Sequence, residues 1–333
     1  MSSSREIRLA SRPHGRPTAD NFTLATTEVS RPELGQLVVR NTVLSVDPYM
    51  RGRMNDAPSY VPPFEVGKVM TGGAVGEVVE SRDDRFSPGD WVLHDLGWRE
   101  VAVVDAARAT RVDTSDVPPG AYLGVLGMPG LTAYVGLTVI GNLREGDAVF
   151  ISGAAGAVGS TAGQIARQLG AARVIGSAGS AAKVDHLINE LGFDSAFDYH
   201  QEPVAQSLAE AAPDGIDVYF DNVGGDHLEA AIGRLRNYGR VAACGSISTY
   251  NATQPAPGPR TIGLVTTRRL TIRGFIVSDH ADRTNEYLQR ARSWLESGQL
   301  RIRETVVEGI ANAPDAFFGV LGGDNIGKMI VAL

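Results

Sequence analysis

The chain has 333 residues, of which 43% are hydrophobic, and it carries a formal net charge of −7 and a single cysteine. This length suits one or two domains with substantial cores, and the negative charge argues against a nucleic-acid surface or an anionic membrane as the main partner. The lone Cys244 excludes an internal disulfide framework, and residues 1–17 lack a signal-peptide core, so we expect a cytoplasmic protein.

The N-terminal third of the chain is predicted to consist of short β segments. Glycine and proline are frequent there and helical periodicity is almost absent. This texture is typical of a compact, barrel-like β domain. The strand-like segments are residues 36–41, 43–46, 67–80, 91–93 and 100–104.

Residues 120–143 carry no charge and would be long enough to span a bilayer. Six glycines and Pro129 interrupt this run. We therefore interpret it as containing a buried helix rather than a membrane span.

From about residue 121, predicted strands and helices alternate, which indicates a doubly wound parallel sheet with right-handed crossovers. The predicted strands are residues 148–151, 173–175, 196–199, 216–221, 239–243 and 270–276. The predicted helices are residues 158–169, 183–191, 203–212, 227–235 and 284–297. A proline-rich segment, residues 254–263, is predicted to lack regular structure, and residues 327–333 are predicted to form a closing strand.

A glycine-rich turn follows the first strand of this second region. Gly153, Gly156 and Gly159 lie between a predicted strand and a predicted helix. In a strand–helix–strand frame of about 30 residues, such glycines permit a tight turn, admit a pyrophosphate to the backbone amides and let the helix pack on the sheet. The triplet could also be only a packing turn, but the frame favours a dinucleotide site.

The end of the next strand indicates which dinucleotide is bound. NAD-binding proteins usually place a carboxylate there for the ribose hydroxyls. This chain instead has Ser177, Ser180 and Lys183, with no acid before Asp185. Because hydroxyls and an ammonium group favour a 2′-phosphate, the sequence predicts NADPH. The alternative is that Lys183 is a solvated residue at the start of a helix.

The sequence offers neither a metal site nor a tyrosine–lysine pair for the chemistry. The single cysteine and six scattered histidines include no pair at ligand spacing, so no metal is expected. No tyrosine is followed by a lysine four residues later, as short-chain reductases require. A nicotinamide reductase with this minimal equipment suits activated alkenes. Hydride then adds to the β-carbon, and the developing enolate needs only hydrogen bonds and a proton.

Several motifs in a fixed order resemble one family over essentially the whole chain. They are residues 46–54 (VDPYMRGRM), 127–134 (GMPGLTAY), 153–159 (GAAGAVG), 220–225 (FDNVGG), 244–251 (CGSISTYN) and 323–328 (GDNIGK). Together they resemble the zinc-independent medium-chain dehydrogenases/reductases of the prostaglandin reductase and alkenal double-bond reductase family. The resemblance implies a GroES-like catalytic domain, residues 1–121 completed by residues 303–333, with a Rossmann NADP-binding domain, residues 122–302, inserted into it. It further implies that NADPH lies in the cleft and that the protein is a homodimer.

The resemblance also implies which residues bind the cofactor and act on the substrate. The pyrophosphate would be held by Gly156, Ala157, Val158 and Gly159, the 2′-phosphate by Lys183, and the adenosine end by Tyr199. The remaining cofactor contacts would be Met128, Thr132, Asn222, Cys244, Gly245, Ser246, Ile247, Ser248, Tyr250, Phe275, Ile276, Val277 and Asn325. Tyr250 and Tyr49 would hydrogen-bond the substrate carbonyl or relay the proton.

Each of these residues also has a purely structural interpretation. Tyr49 and Tyr250 could be half-buried core tyrosines, Asn222 could cap the following turn, and Asn325 could be a turn residue. Cys244 is expected to pack, with its backbone facing the cofactor, rather than to act as a nucleophile.

The sequence thus predicts an NADPH-dependent reductase of the carbon–carbon double bond of α,β-unsaturated aldehydes and ketones. Within enzymes, the alternatives are a quinone oxidoreductase or an allylic alcohol dehydrogenase of the same superfamily. A further alternative is an NADPH-binding sensor without turnover, which would be marked by a damaged cofactor motif that the sequence does not show. Arg51 and Arg53 are expected to be structural or solvated.

Overall fold

The computed structural model describes residues 3–333 and divides them into two compact units. Unit 1 combines the chain up to Leu123 with Glu304–Leu333, and unit 2 is Gly124–Arg303. These breaks differ from the predicted boundaries, 121/122 and 302/303, by one or two residues. Within residues 3–333, every helix is too short or too polar to cross a bilayer.

Unit 1 is built mainly from antiparallel strands. Its described strands, numbered with those of unit 2 in chain order, are β1 (Ser3–Leu9), β2 (Phe22–Glu28), β3 (Gln36–Ser45), β4 (Ala74–Ser81), β5 (Trp91–His94), β6 (Val101–Asp105), β7 (Thr110–Arg111), β14 (Glu304–Glu308) and β15 (Lys328–Ala332). Seven of them form one sheet in the order β14-β15-β3-β4-β5-β7, with β6 also paired to β3, while β1 and β2 form a separate pair. The C-terminal strand β15 is therefore hydrogen-bonded to β3 from the N-terminal region.

Strand β3 corrects one prediction. The predicted segments 36–41 and 43–46 form one continuous strand that ends at Ser45, and its pairing with β4 shifts register between Asn41 and Val43. An irregular residue inside a strand interrupts the alternation of apolar side chains, so the sequence pattern shows two short strands. The predicted strand 67–80 shrinks to β4, because its glycine-rich first half has only isolated bridges.

Unit 2 contains the predicted parallel sheet. Its strands are β8 (Ala148–Ile151), β9 (Arg173–Ala178), β10 (Ser195–Asp198), β11 (Ile216–Asp221), β12 (Leu235–Ala243) and β13 (Thr271–Gly274). They pair in the order β10-β9-β8-β11-β12-β13, and all neighbours are parallel. The chain order reverses next to β8, which is the switch point where doubly wound sheets bind ligands. The predicted fold class, a doubly wound parallel sheet with a separate β domain, is confirmed.

The described helices belong to both units and are numbered in chain order. They are α1 (Met50–Arg53), α2 (Met128–Val135), α3 (Ala157–Gln168), α4 (Ala181–Asp185), α5 (Val204–Ala211), α6 (Gly225–Arg234), α7 (Leu264–Thr267), α8 (Thr284–Glu296) and α9 (Ala313–Gly322). Helix α2 continues as a π-helical turn, Gly136–Ile140, and α4 continues as another, His186–Glu190. The uncharged run 120–143 thus contains a buried helix, as predicted.

The proline-rich segment 254–263 was predicted to lack regular structure, and this is wrong for its last residues. Arg260–Gly263 form a 3₁₀ turn. The turn is tied to α6, because the Arg260 backbone amide and guanidinium donate to the Glu229 carboxylate at 2.8 and 2.9 Å and the Thr261 hydroxyl donates to the Glu229 carbonyl. These contacts come from a residue about 30 positions earlier, so the local pattern could not indicate them.

Candidate active site

The glycine turn between β8 and α3 leaves the N-terminus of α3 open. Gly153 has a φ of +58°, which favours glycine. A Cβ on Gly159 would lie 2.4 Å from the Gly153 carbonyl oxygen, so only glycine lets the helix approach the turn this closely. The residue before the helix, Gly156, offers no capping side chain, and the first turn contains no acidic residue.

This open end fits a diphosphate. The first N–H groups of a helix have no acceptor within the helix, and the dipole makes this end positive. In α3 these groups belong to Ala157, Val158 and Gly159, and no side-chain cap satisfies them. Anions bind at such helix N-termini in dinucleotide-binding proteins. The turn itself is fixed to the next strand, because the Ala154 amide donates to the Ser177 carbonyl at 2.9 Å.

The residues predicted to meet the 2′-phosphate lie just beyond β9. Ser180 precedes α4 and its hydroxyl accepts from the Lys183 amide at 3.4 Å, so the serine caps the helix that carries the lysine. Lys183 is half-buried. Tyr199, at the end of β10, donates its amide to the Ala178 carbonyl, and its hydroxyl would lie 2.8 Å from a Cβ on Gly179. The structure therefore gathers Lys183 and Tyr199 around one short turn.

Asp221, at the end of β11, organises the neighbouring strand ends, and the sequence argument assigned it no role. Its buried Oδ1 accepts from the Tyr219 hydroxyl at 2.7 Å and from the Gly224 amide at 2.7 Å, and Ser152 is also within reach. Burial raises the pKa of this carboxyl, while the hydrogen bonds from Gly224 and Tyr219 oppose that shift. The sequence does contain a signal for this role, because an acidic residue ends a largely apolar strand and directly precedes Asn222.

Asn222 is held on the same network. Its amide nitrogen donates to the Ser152 hydroxyl at 3.0 Å and its side-chain Nδ2 donates to the Ser152 carbonyl at 2.8 Å. Its own carbonyl accepts from the Ile247 amide at 3.2 Å. Asn222 thus joins the end of β8 to the segment after β12.

The segment after β12 carries six of the predicted residues, Cys244, Gly245, Ser246, Ile247, Ser248 and Tyr250. The Asp221 carbonyl accepts from the amides of Cys244 and Gly245, which holds the segment at the carboxyl end of the sheet. Burial, with a smaller effect of the Asp221 charge, raises the pKa of the Cys244 thiol to about 12. A thiol with that pKa is protonated at neutral pH, so it is a poor nucleophile. The Tyr250 hydroxyl accepts weakly from the Ser246 amide at 3.5 Å.

Helix α2 and the segment after β13 lie together. A Cβ on Gly136 would approach the Phe275 ring to 3.1 Å, so the π turn that continues α2 packs against Phe275. Thr132 is buried and its hydroxyl donates to the Met128 carbonyl at 2.7 Å. The Met128 side chain is exposed. Ile276 and Val277 are half-buried beside Phe275.

Two predicted residues belong to unit 1. Tyr49 immediately precedes α1 and is half-buried. Burial and then the Asp47 charge raise its pKa, while Arg53 acts in the opposite direction. Asn325 lies in the turn before β15, where its Nδ2 donates to the Gly327 carbonyl at 2.7 Å.

The two arginines near Tyr49 have protein partners. Arg51 is buried and donates to the Gly15 carbonyl at 2.7 Å and to Asn55 at 2.7 Å. Arg53 donates to the Pro62 carbonyl at 3.0 Å. These bonds give both side chains structural roles within unit 1.

Two family models match the chain, one in each unit. A family model described as the N-terminal domain of oxidoreductase matches residues 5–112, and a model described as zinc-binding dehydrogenase matches residues 157–295. In the part of the chain that the structure describes, no group of three or more His, Cys, Asp or Glu side chains is placed to hold a metal ion.

Individual proteins are similar over nearly the full length. The chain is 42% identical over 328 residues to the NADPH-dependent curcumin reductase of Escherichia coli, with 97% of this chain and 95% of that protein covered. It is 41% identical over 310 residues to the NADP⁺-dependent 2-alkenal reductase of Nicotiana tabacum, with 92% and 90% covered. The crystal structure of CurA from Vibrio vulnificus in complex with NADPH is 41% identical, covers 98% of both chains and superimposes with a TM-score of 0.93.

Proposed function

Since the chain belongs to the alkenal and prostaglandin reductase family of the medium-chain dehydrogenases/reductases, we propose that it reduces the carbon–carbon double bond of α,β-unsaturated aldehydes and ketones with NADPH. The observation that carries this proposal is the geometry at the N-terminus of α3 and after β9, which fits a phosphate group. The N-terminus of α3 has no side-chain cap. The residues that follow β9 contain no carboxylate before Asp185, and they include the half-buried Lys183. Relatives that match nearly the whole chain are named for NADPH or NADP⁺ and for the reduction of curcumin or of 2-alkenals.

The cofactor is proposed to contact the residues that the sequence indicated. Gly156, Ala157, Val158 and Gly159 bind the pyrophosphate through backbone amides, Lys183 binds the 2′-phosphate, and Tyr199 lies beside the adenosine. The other contacts are Met128, Thr132, Asn222, Cys244, Gly245, Ser246, Ile247, Ser248, Tyr250, Phe275, Ile276, Val277 and Asn325. The hydrogen bonds of Asp221 support this set, because they hold the ends of β8, β11 and β12 in one arrangement.

Bound NADPH supplies the hydride that reduces the β-carbon of the substrate. Negative charge then develops on the carbonyl oxygen, and donors placed toward that oxygen stabilise it. The resulting enolate takes up a proton that comes from water, which completes the reduction. We assign the donation of hydrogen bonds to the oxygen, or the relay of this proton, to the hydroxyls of Tyr250 and Tyr49. Burial raises the pKa of Tyr49, so at neutral pH its phenol is protonated and can donate.

The protein is further proposed to be a cytoplasmic homodimer. Strand β13 lies at the edge of the parallel sheet, paired on one side with β12, and all four of its residues are exposed. An exposed edge strand is a ready site for pairing with a second chain, and a two-fold axis would let β13 pair with its own copy.

The proposed reaction is tested by the loss of NADPH absorbance with an alkenal, a long-chain enone, a quinone and a saturated ketone. We expect oxidation with the alkenal or the enone and none with the saturated ketone. A quinone-only response would indicate a quinone oxidoreductase, and NADPH binding without any turnover would indicate a sensor; either result refutes the proposal.

The assigned tyrosines are tested with the same assay. Tyr250→Phe and Tyr49→Phe are each expected to lower turnover of the preferred enone, because each loses one donor to the developing oxyanion. Tyr238→Phe is the matched control, since Tyr238 lies in β12 with 65% of its surface exposed and has no role in the proposed site. Unchanged turnover in both Tyr250→Phe and Tyr49→Phe would exclude the roles assigned to them.

A further inference from the structure

Unit 1 contains a buried ion pair that joins its two chain segments. The Lys328 ammonium at the start of β15 lies 3.1 Å from the Asp47 Oδ1. Lys328 is 3% exposed and Asp47 is 5% exposed. Lysine and aspartate are almost never this buried unless they are paired.

Every donor of the Lys328 ammonium is used within the protein. Besides Asp47, it donates to the carbonyl of Val46 at 2.8 Å and to its neighbour Met329 at 2.8 Å. The second carboxylate oxygen of Asp47 accepts from the Ser45 hydroxyl. Two charges fixed by this many bonds hold their backbones in one relative position.

Asp47, the acidic member of the ion pair, lies two residues before Tyr49. The Asp47 carbonyl accepts from the Met50 amide at 3.2 Å, and the Tyr49 carbonyl accepts from the Gly52 amide at 3.0 Å, so Asp47 opens the turn that becomes α1. The ion pair therefore anchors the start of the segment that carries the tyrosine.

Lys328, the basic member of the ion pair, lies three residues after Asn325. Lys328 follows Gly327, whose carbonyl accepts from the Asn325 side chain at 2.7 Å. The segments around Tyr49 and Asn325 are far apart in sequence, and the Lys328 ammonium bonds directly to the first of them. Together with the neighbouring ladder between β3 and β15, the ion pair thus fixes the relative position of two segments to which the proposed function assigns active-site roles.

The surroundings of the pair are apolar. Val46, Met50 and Met329 belong to the same buried hydrophobic cluster. In an apolar core, apolar side chains of similar size often stabilise a fold as well as a buried ion pair does. The role best supported for buried ion pairs is to specify one conformation over its alternatives. This indicates a role in geometry beyond stability.

We propose that Asp47 and Lys328 are positioning residues that hold the Tyr49 turn and the Asn325 turn in the arrangement needed for the substrate step. The inference rests on the proposed function, because it acts through Tyr49. Lys328 and Asp47 themselves contact neither substrate nor cofactor in this assignment.

The experiment is a double-mutant cycle between Lys328→Met and Tyr49→Phe, measured as kcat and KM for the preferred enone. Lys328→Met alone is expected to lower kcat about tenfold, with the NADPH Kd from direct fluorescence titration changed less than about twofold. In the Tyr49→Phe background, Lys328→Met should cause no further loss, because the residue through which it acts is already disabled.

Glu304→Gln is the matched control. Glu304 lies opposite Lys328 in the register of β14 and β15, and within residues 3–333 its Oε1 has no hydrogen-bond partner. The variant changes a charge near the same ammonium without touching the Tyr49 turn, so its kcat should match that of the wild type. If Lys328→Met does not fold, Asp47→Asn, which keeps the size and one acceptor oxygen, replaces it in the cycle.

Hydrogen exchange of the cofactor-free protein adds a readout that does not depend on turnover. Lys328→Met should speed exchange at residues 47–54 and 325–328 together and leave unit 2 unchanged. Losses in kcat that multiply in the double variant, or exchange unchanged at both segments, would overturn the inference while the proposed reaction stands. A wild type that reduces no enone would refute the proposed function and this inference with it.

Discussion

Gly159→Ala is expected to destabilise unit 2 and to weaken NADPH binding. The added Cβ would lie 2.4 Å from the Gly153 carbonyl oxygen and 2.8 Å from the Ala154 Cα. Both neighbours are backbone atoms of the glycine turn, so no side chain can rotate away to make room. The turn or the first residues of α3 must move instead.

The size of the effect follows from that geometry. Ordinary contacts of a Cβ begin near 3.4 Å, so the turn must shift by about 1 Å, and forcing an extra carbon into a packed site typically costs about 1–3 kcal/mol. For a unit of this size, such a loss lowers the Tm by roughly 2–12 °C. The shift also moves the amides proposed to bind the pyrophosphate, so the NADPH Kd should rise.

The assay is thermal unfolding of the cofactor-free protein, followed by NADPH titration. Gly233→Ala is the matched control, because Gly233 lies in α6 of the same unit and the nearest atom to an added Cβ is the Thr261 Cγ2 at 3.9 Å. There the substitution should leave the Tm unchanged or raise it, since alanine favours a helix over glycine. A Gly159→Ala variant that melts with the wild type and binds NADPH equally well would refute the reasoning.

Three further predictions concern single side chains. Lys183→Ala should weaken NADPH binding roughly 10- to 100-fold and leave NADH binding unchanged, whereas the exposed Lys68→Ala should change neither; equal loss for both cofactors in Lys183→Ala would contradict the 2′-phosphate assignment. Burial, with Arg99 adding to it, lowers the pKa of His94 to about 3, so this histidine contributes stability above its ordinary pKa of 6.5 that is lost as the pH falls toward 3. Between roughly pH 6 and pH 4, the unfolding free energy measured with urea should depend on pH less steeply in His94→Gln than in the wild type, by about 1.4 kcal/mol per pH unit, and parallel slopes would disprove this. The raised pKa of Cys244 predicts that iodoacetamide alkylates the native protein far more slowly than the unfolded one and that Cys244→Ala retains turnover; rapid native labelling would show that the thiol is reactive.

The sequence predicted the parts of the fold that depend on local pattern. The predicted strands 148–151 and 216–221 coincide with β8 and β11, because β8 is a fully buried apolar run, β11 is buried apart from Asp217, and turn residues bound both. Helix α3 was located within one residue, because the glycine turn marks its start and Gly170 its end.

The features that the sequence did not predict depend on distant partners. Strand β12 begins at Leu235, earlier than the predicted residue 239, because Ile216 of β11 pairs with Leu235 across a register shift. Residues 186–190 were predicted as part of one α-helix but form a π turn, a local departure that hydrophobic periodicity does not encode. Lys328 looked like an ordinary strand residue, since its partner carbonyl at Val46 lies 282 residues away.

The residues of the candidate site also differ in how far the local sequence indicates them. The glycines, Lys183 and Asn222 could be proposed from the sequence because each belongs to a contiguous motif. Asp221 was missed, because its importance comes from hydrogen bonds that converge from several strand ends. Which pairs of these residues cooperate in the reaction is a matter for the kinetic tests above.

The split composition of unit 1 has a consequence for biosynthesis. Unit 2 is contiguous, so its sheet needs no residue beyond 303, whereas β3 in unit 1 needs the neighbour β15 from the C-terminal end of the chain. Until β15 has formed, only residues 43–45 on that edge of β3 lack a strand partner, because β6 pairs with residues 36–40, and Asp47 lacks its ammonium partner. Nascent chains with an open strand edge are the ones that pair wrongly with other chains. Unit 1 therefore remains open to wrong pairing at β3 until β15 has been made.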